Sequence, residues 1–315
     1  NTTGGNNVAV GQQALYGNTT GAYNVSVGYQ SLYSHSGSGN SYHTGLGALA
    51  LYSTTTGVRN TGVGYAAGYG ITTGNYNVAI GMQALNGTST ANANTAVGYA
   101  ALYSNTTGAN NTAVGYQSGD NNTTGYENVF VGHGSGSANS TGIRNLYVGN
   151  NAGELATTGS NNTYVGANGT TGSCGGAMTT GSQNTILGGY TGNQGGLDIR
   201  TSSNNIVLSD GSGNPRIWAN SAGRVVTGTM NTSQASGDGV KLAEHGACWV
   251  VNNGSTGGGD GFSYYNGTAG AYRFYVAAAG RIYATYTSIS AISDQRLKEN
   301  VRDLDVGLDE VLALR

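Results

Sequence analysis

Short apolar triplets recur through the first two thirds of the chain, each closed by a glycine. Taking as anchor the Gly that follows an aliphatic residue, the series runs Gly11, Gly28, Gly47, Gly64, Gly81, Gly98, Gly115, Gly132, Gly149, Gly166 and Gly188. The steps are 17, 19, then 17 seven times, and 22. A twelfth, degenerate unit places Ser209 at the anchor after a step of 21. The residue before the anchor is Val, Ile or Leu in all twelve units, from Val10 to Leu208. In Val8-Ala9-Val10, Val78-Ala79-Ile80 and Thr163-Tyr164-Val165 the outer members are β-branched or aliphatic and the middle one is small or aromatic. That is the two-residue period of a strand. A Thr-Thr-Gly such as 19–21, 72–74 or 106–108 precedes the triplet and supplies a turn. Each unit therefore predicts a turn, a short strand, a tight glycine and a second short segment. Seventeen residues cannot bury a core of their own, but stacked copies can share one, as in solenoids. At one strand spacing of ~4.8 Å per unit, twelve units predict a rod of roughly 58 Å.

Four residues before the anchor stands Asn7, Asn24, Asn60, Asn77, Asn94, Asn111, Asn128, Asn145, Asn162, Asn184 or Asn205, with His43 the exception. Two readings of this column are open. Equivalent amides can hydrogen-bond along the stack as an internal ladder, or each Asn can serve a solvent-facing turn through its tolerance of left-handed backbone. Tyr recurs one residue after the anchor (Tyr29, Tyr65, Tyr99, Tyr116) or five after it (Tyr16, Tyr33, Tyr52, Tyr103). It reads either as an aromatic surface for glycan contact or as packing between units with the hydroxyl in water.

The period stops after Ser209. Arg216-Ile217-Trp218-Ala219-Asn220-Ser221-Ala222-Gly223-Arg224-Val225-Val226 matches the segment Arg273 to Tyr283, 57 residues on, and each reads as a β-hairpin. Cys248 to Val251 and Phe262 to Tyr265 are further strand candidates. From Asp294 the chain turns charged, and Leu304, Val306, Leu308, Val311, Leu312 and Leu314 follow at roughly helical spacing. The predicted fold is all-β: a repetitive β-solenoid or β-helical shaft over 1–209, a small β-domain with a duplicated hairpin over 210–292, and a short C-terminal helix within 293–315. The chain opens inside a unit and is read as a piece of a longer protein.

Composition sharpens this picture. Of 315 residues 57 are Gly, one is Pro and only 8% are charged, against about 25% charged in ordinary domains. The small residues hold fixed positions, which argues against disorder. A formal net charge of −2 gives no footprint for nucleic acid, and no apolar run is long enough to insert in a membrane. Residues 1–292 carry 8 acidic and 8 basic side chains, whereas 293–315 carry 6 and 4, which marks a boundary at Ser293. Cys174 and Cys248 lack metal or redox spacing and read as small buried or free thiols. His35, His43, His133 and His245 show no paired spacing, so neither a metal nor a cofactor is expected. The acidic residues of 1–292 show no spacing that favours a glycosidase pair. An enzyme is not expected.

Ser293-Asp294-Gln295-Arg296-Leu297-Lys298-Glu299-Asn300-Val301, with Leu308-Asp309-Glu310-Val311-Leu312-Ala313-Leu314 behind it, resembles the opening of the endosialidase-type intramolecular chaperone domain, peptidase family S74. The 17-residue units resemble those of phage tail fibres that carry this domain. The resemblance implies a homotrimeric fibre at a virion tail or otherwise outside the cell, joined to other tail proteins and binding a host surface glycan or other receptor. It implies a chaperone that guides fibre folding and then cuts itself off before Ser293. Ser293 would be the nucleophile and Lys298 its base, and Ser293 also suits a helix N-cap. The repeats alone also allow a monomeric solenoid. A cellular surface adhesin and a polysaccharide-degrading tailspike are the alternatives.

Overall fold

The structure, a computed structural model, describes residues 2–166 and 172–228 and, beyond them, the backbones of the strands Gly239–Leu242, Cys248–Val251, Asp260–Asn266, Ala271–Ala277 and Ile282–Ala284. Every triplet before an anchor glycine is a strand. The twelve, from Val8–Val10 to Ile206–Ser209, stack in parallel and in register. Thr95, Ala96 and Val97 thus lie over Thr112, Ala113 and Val114, and so on along the file. One turn of chain between successive strands makes one coil of a β-solenoid. Hydrogen bonding between coils is not confined to the strand. In the coil around Gly81, the Val78 N–H donates forward to Asn94 O at 2.8 Å and the Leu85 N–H to Ala101 O at 3.0 Å. In the next coil the Gly98 N–H donates back to Ile80 O at 2.8 Å and the Ala100 N–H to Met82 O at 3.0 Å. Backbone polar groups around much of the perimeter are satisfied by the neighbouring coil, as buried main chain requires.

The anchor glycine follows from this stacking. Its φ lies between 105° and 146° in all eleven coils that carry it. A Cβ on Gly115 would sit 2.3 Å from the carbonyl oxygen of Gly132, the anchor of the next coil, and the same clash recurs at Gly98 and Gly132. Glycine meets both demands, left-handed φ and backbone touching backbone.

Two places later in the coil the chain again turns left-handed, and twice more at intervals. Positions two and four after the anchor and five before it have φ near 50–60°, as in Gln83 (59°), Leu85 (49°) and Tyr76 (60°). A non-glycine residue there is penalised by about 1–2 kcal/mol. Leu32, Leu51, Leu85 and Leu102 accept that strain because the conformation aims them into the coil, where each is fully buried, and burying a leucine returns about 1.5–3 kcal/mol.

The interior is filled reciprocally. Where the strand's middle residue is small, as in Ser26, Gly45, Ala79 and Ala96, Leu stands four after the anchor; Ala113 departs from this, its coil carrying Gly119, where a Cβ would lie 2.6 Å from the Phe130 ring of the next coil. Where the middle residue is Phe130 or Tyr147, that place is Gly136 or Gly153, and a Cβ there would lie 2.5–2.6 Å from the ring. In the coil of Gly62 and Gly68, Ile71 fills the space from the other side. The alternation of Leu and Gly at one column is thus a packing rule.

Longer steps leave the stack unchanged. The 19-residue step adds a two-residue parallel pairing of Gly21–Ala22 with Gly39–Asn40, and the 21-residue step adds a small separate hairpin, Asn193–Gln194 with Leu197–Asp198. Tyr190 underpins that hairpin, its hydroxyl donating within reach of Gly192 O and Leu197 O at 2.8 and 2.9 Å.

After the last coil the sheet changes direction without ending. Ile206–Ser209 pairs antiparallel with Pro215–Ala219, which pairs with Val225–Gly228, then Gly239–Leu242, then Cys248–Val251. Compactness divides the chain into 1–253 and 254–315. In the second unit Asp260–Asn266, Ala271–Ala277 and Ile282–Ala284 form an antiparallel sheet. The helix expected within 293–315 lies outside the described residues.

Gly115→Ala is expected to destabilise the solenoid by about 2 kcal/mol or more, through overpacking and backbone strain together. Gly5→Ala, where a Cβ meets nothing within 4 Å, is expected to be neutral. Urea denaturation of both variants beside the parent checks the difference.

Candidate functional site

The Asn column lies inside the coil. From Asn60 to Asn205, each Asn four before an anchor is 0–3% exposed. Each does two jobs. Its Oδ1 accepts the backbone N–H of the next Asn, as in Asn128 N to Asn111 Oδ1 at 3.0 Å, Asn145 N to Asn128 Oδ1 at 3.0 Å and Asn184 N to Asn162 Oδ1 at 2.9 Å. Its Nδ2 donates to the carbonyl seven before the next anchor, as in Asn94 to Gly108, Asn111 to Gly125 and Asn145 to Gly159, all at 2.9 Å. Asn77, Asn94, Asn111, Asn128 and Asn205 add a direct amide-to-amide bond of 3.0–3.2 Å to the preceding member. Asn7, in the first coil, accepts from Asn24 N at 2.9 Å and donates to Gly21 O at 2.8 Å. At the far end the indole N–H of Trp218, on the hairpin strand after the last coil, donates to Asn205 Oδ1 at 3.0 Å.

His43 keeps the file unbroken. Its Nδ1 accepts the Asn60 N–H at 3.2 Å, as an amide oxygen does, and its Nε2 bonds Gly57 O at 2.7 Å, as an amide nitrogen does. These partners require the neutral tautomer with the proton on Nε2. Burial, and secondly the neighbouring His35 ring 4.9 Å away, push the His43 pKa down to about 4. Burial also lowers that of His35, whose Nε2 bonds Ser41 Oγ at 2.9 Å. Asn24 Nδ2 is buried without a partner. It belongs to the coil before the 19-residue step, which carries the extra pairing of Gly21–Ala22 with Gly39–Asn40.

A second amide file runs seven residues after the anchor. Asn122 Nδ2 donates to Asn105 Oδ1 at 3.0 Å and Asn139 Nδ2 to Asn122 Oδ1 at 2.7 Å, while Asn105 and Asn122 also reach the carbonyls of Gly108 and Gly125 at 2.9 Å. Sequence reading missed it. The signal, Asn18, Asn105, Asn122 and Asn139 at one register, is broken by His35, Thr54, Ile71, Thr88 and Ala156. The first Thr of Thr-Thr-Gly also acts between coils: Thr72 Oγ1 donates to Ser89 O at 2.7 Å and Thr123 Oγ1 to Ser140 O at 3.0 Å. Tyr147 and Tyr164 stack inside the coil at 4.7 Å with their hydroxyls lacking a partner in hydrogen-bonding geometry. Burial drives both phenol pKa values up. Cys174 is fully buried against Ile186 O, and burial pushes its thiol up to about 12, which leaves it unreactive.

The outer surface carries two kinds of column. The aromatic ones stack coil on coil: Tyr16, Tyr33, Tyr52 and Tyr69 at centroid distances of 5.0–5.2 Å and 5–6° between planes, and Tyr99, Tyr116 and His133 at 5.0–5.1 Å. The other is the outward side of the strand. The first and third residues of the twelve triplets are 18 aliphatic side chains and 6 threonines, with no charge among them. Val10, Val27, Leu46, Ile80, Val114 and Leu187 there are 36–56% exposed.

Ser293 and Lys298 lie outside the described residues. No group of three or more His, Cys, Asp or Glu among the described residues is placed to hold a metal, and none of their helices is long and apolar enough to cross a membrane. Comparison with protein-family models, curated proteins and solved structures finds no match. What the chain's own geometry establishes is a repetitive, fibrous β-solenoid of about twelve coils, in keeping with a structural or adhesive fibre.

Three outcomes follow from the interior. Asn111→Ala orphans the Asn128 N–H and leaves the Gly125 carbonyl with Asn122 as its remaining side-chain donor, so a loss of about 1–3 kcal/mol is expected in a denaturant titration. At the buried Tyr164 hydroxyl desolvation outweighs the contact with the Asn184 amide, so Tyr164→Phe is expected to raise the Tm; a lowered Tm would mean that the Asn184 contact is a full hydrogen bond. The histidines titrate below their ordinary value when folded, so the unfolded chain binds more protons. Stability should be full above pH 6.5 and decline as the pH falls toward about 4. In His43→Asn the decline should be smaller, with stability at pH 7 retained, as read from Tm against pH.

Proposed function

We propose that this chain is the shaft of an extracellular, homotrimeric fibre of the phage-tail kind. It holds an adhesive surface toward host-cell glycans and is joined to other tail proteins. The observation that carries the reading is the uncharged strand face running the length of the solenoid. With side chains ~6.6 Å apart along the strand and strands ~4.8 Å apart, it presents an apolar strip on the order of several hundred Å². Patches of that size mark interaction surfaces. Its occupants are two further copies of the same chain, because only a partner with the same one-coil rise keeps its ridges in register over twelve coils. Valine, isoleucine and threonine suit such a sheet-to-sheet contact.

In this reading the role is mechanical and adhesive, with no turnover of substrate. The segment from Ser293 is the start of a self-removing chaperone: Ser293 Oγ attacks the Ile292 carbonyl, Lys298 takes its proton and passes it to the departing Ser293 amine as the peptide bond breaks, and water then hydrolyses the ester to leave the Ile292 carboxylate and the Ser293 hydroxyl. The support is the nine-residue motif that begins at Ser293.

The test uses the full-length protein. Mass photometry should give three times the mass of the trimmed chain, and intact mass should end at Ile292. Ser293→Ala should stop the trimming but leave the trimer. Ile80→Lys with Val114→Lys, at exposed positions outside the core, should yield a monomer with unchanged circular dichroism. A parent that is monomeric and untrimmed would sink the trimeric and chaperone readings together.

A further inference from the structure

The aromatic columns are not equivalent along the shaft. Residues one and five after the anchor form two ridges, and the residue two after it lies on the floor between them. That floor is Gln in several coils, and Gln30 Nε2 donates to Gln13 Oε1 at 2.8 Å in the first two. The floor residue is alanine at Ala66 and Ala100, and only Ala100 has a Gln on both sides, Gln83 and Gln117. The missing side chain leaves a cleft of about 220 Å³, lined by Gln83, Tyr99, Ala100, Tyr103, Gln117 and Asp120. At ~30 Å³ per water that is room for about seven waters, below the ~300 Å³ of a drug-sized site. It suits one ring with its substituents.

The ridges around the cleft also differ from those elsewhere. Tyr16, Tyr33, Tyr52 and Tyr69 cover one another's faces. Tyr103 has Asn86 and Asp120 as its column neighbours, so no ring stacks on it, and it is 39% exposed. Asp120 forms none of the ion pairs among the described residues. Among the described residues the Asn121 amide, at 3.4 Å, is the one side chain hydrogen-bonded to its carboxylate, which also receives the backbone N–H groups of Asp120 and Asn121. The cleft thus offers an uncovered aromatic face, two primary amides that each donate and accept, and a carboxylate with unused acceptor positions.

We infer that this cleft is a binding site for a single neutral pyranose residue of a surface glycan, with Ala100 supplying the space, Tyr103 the stacking face, and Asp120, Gln83 and Gln117 the hydroxyl partners. A pyranose has an apolar C–H face for the ring and vicinal hydroxyls that donate in pairs to a carboxylate. Uronic and sialic acids are disfavoured because their carboxylate would meet that of Asp120. The inference rests on the adhesive reading above and gives it a location. Three copies on one trimer turn a weak contact into avid attachment.

The test is saturation-transfer NMR of the chain with millimolar methyl glycosides of glucose, galactose, mannose and N-acetylglucosamine, with methyl glucuronide as the charged comparison. Ala100→Gln is the informative variant. It fills the cleft with the residue that Gln83 (φ 59°) and Gln117 (φ 50°) already carry at the same left-handed place as Ala100 (φ 54°), so the coil should be unaffected. Binding of a neutral glycoside that weakens about tenfold or more, some 1.4 kcal/mol, in both Ala100→Gln and Asp120→Asn, with Tm unchanged, supports the site. Parent binding retained in both variants, or glucuronide preferred, overturns the site while leaving the adhesive reading in place. No binding of any glycoside by the parent overturns the site, and a parent that also fails to bind cell-surface polysaccharide removes the glycan part of the adhesive reading.

Discussion

One coil must lie on the next at the spacing of paired backbones, and an amide inside the coil makes that possible. Between the Thr-Thr-Gly turn and the strand the chain bends too sharply for main-chain pairing alone to serve every group. Asn111 accepts the N–H of Asn128 with one end of its side chain and donates to Gly125 with the other. The chain can therefore turn a corner within a dry interior without stranding a polar group. Buried polar networks stabilise when each member is satisfied and destabilise when one is not. That explains why a histidine can replace one Asn only in the tautomer that copies both bonds.

The rest of the coil follows from the same spacing. Backbones this close leave no room for a Cβ between consecutive anchors, hence glycine. A perimeter this short encloses only one large side chain per coil at the strand end, hence Leu against Ala or Gly against Tyr. The side chains left outside repeat at the same rise, so aromatic rings stack and the strand's outer residues form one continuous apolar face.

Much of this is legible in the amino-acid order, because a solenoid writes its geometry as a period. The 17-residue step, the strand triplets and the Asn column all stand at countable positions. Other features are not legible there. Asn suits a wet turn and a dry interior equally, and only the enclosure of Asn94 or Asn111 by neighbouring coils decides between them. Leu85 in a left-handed conformation contradicts local preference, since tertiary burial outweighs it. The file through Asn105, Asn122 and Asn139 is short and interrupted, so a tally by column hides it. The period ends at Ser209 while the sheet runs on, because strand pairing needs only an exposed edge and Pro215–Ala219 supplies a partner of unrelated sequence.

Trp218 has a consequence for how such a shaft is bounded. Each Asn is bifunctional, receiving from one neighbour and giving to another, as a monomer with two reactive ends does in a growing polymer. Indole has one N–H and no acceptor. Placed over Asn205 Oδ1, it stands where the next coil's donor would and offers no acceptor in return. The amide file thus carries a chain terminator at this end, placed by where that residue occurs in the sequence.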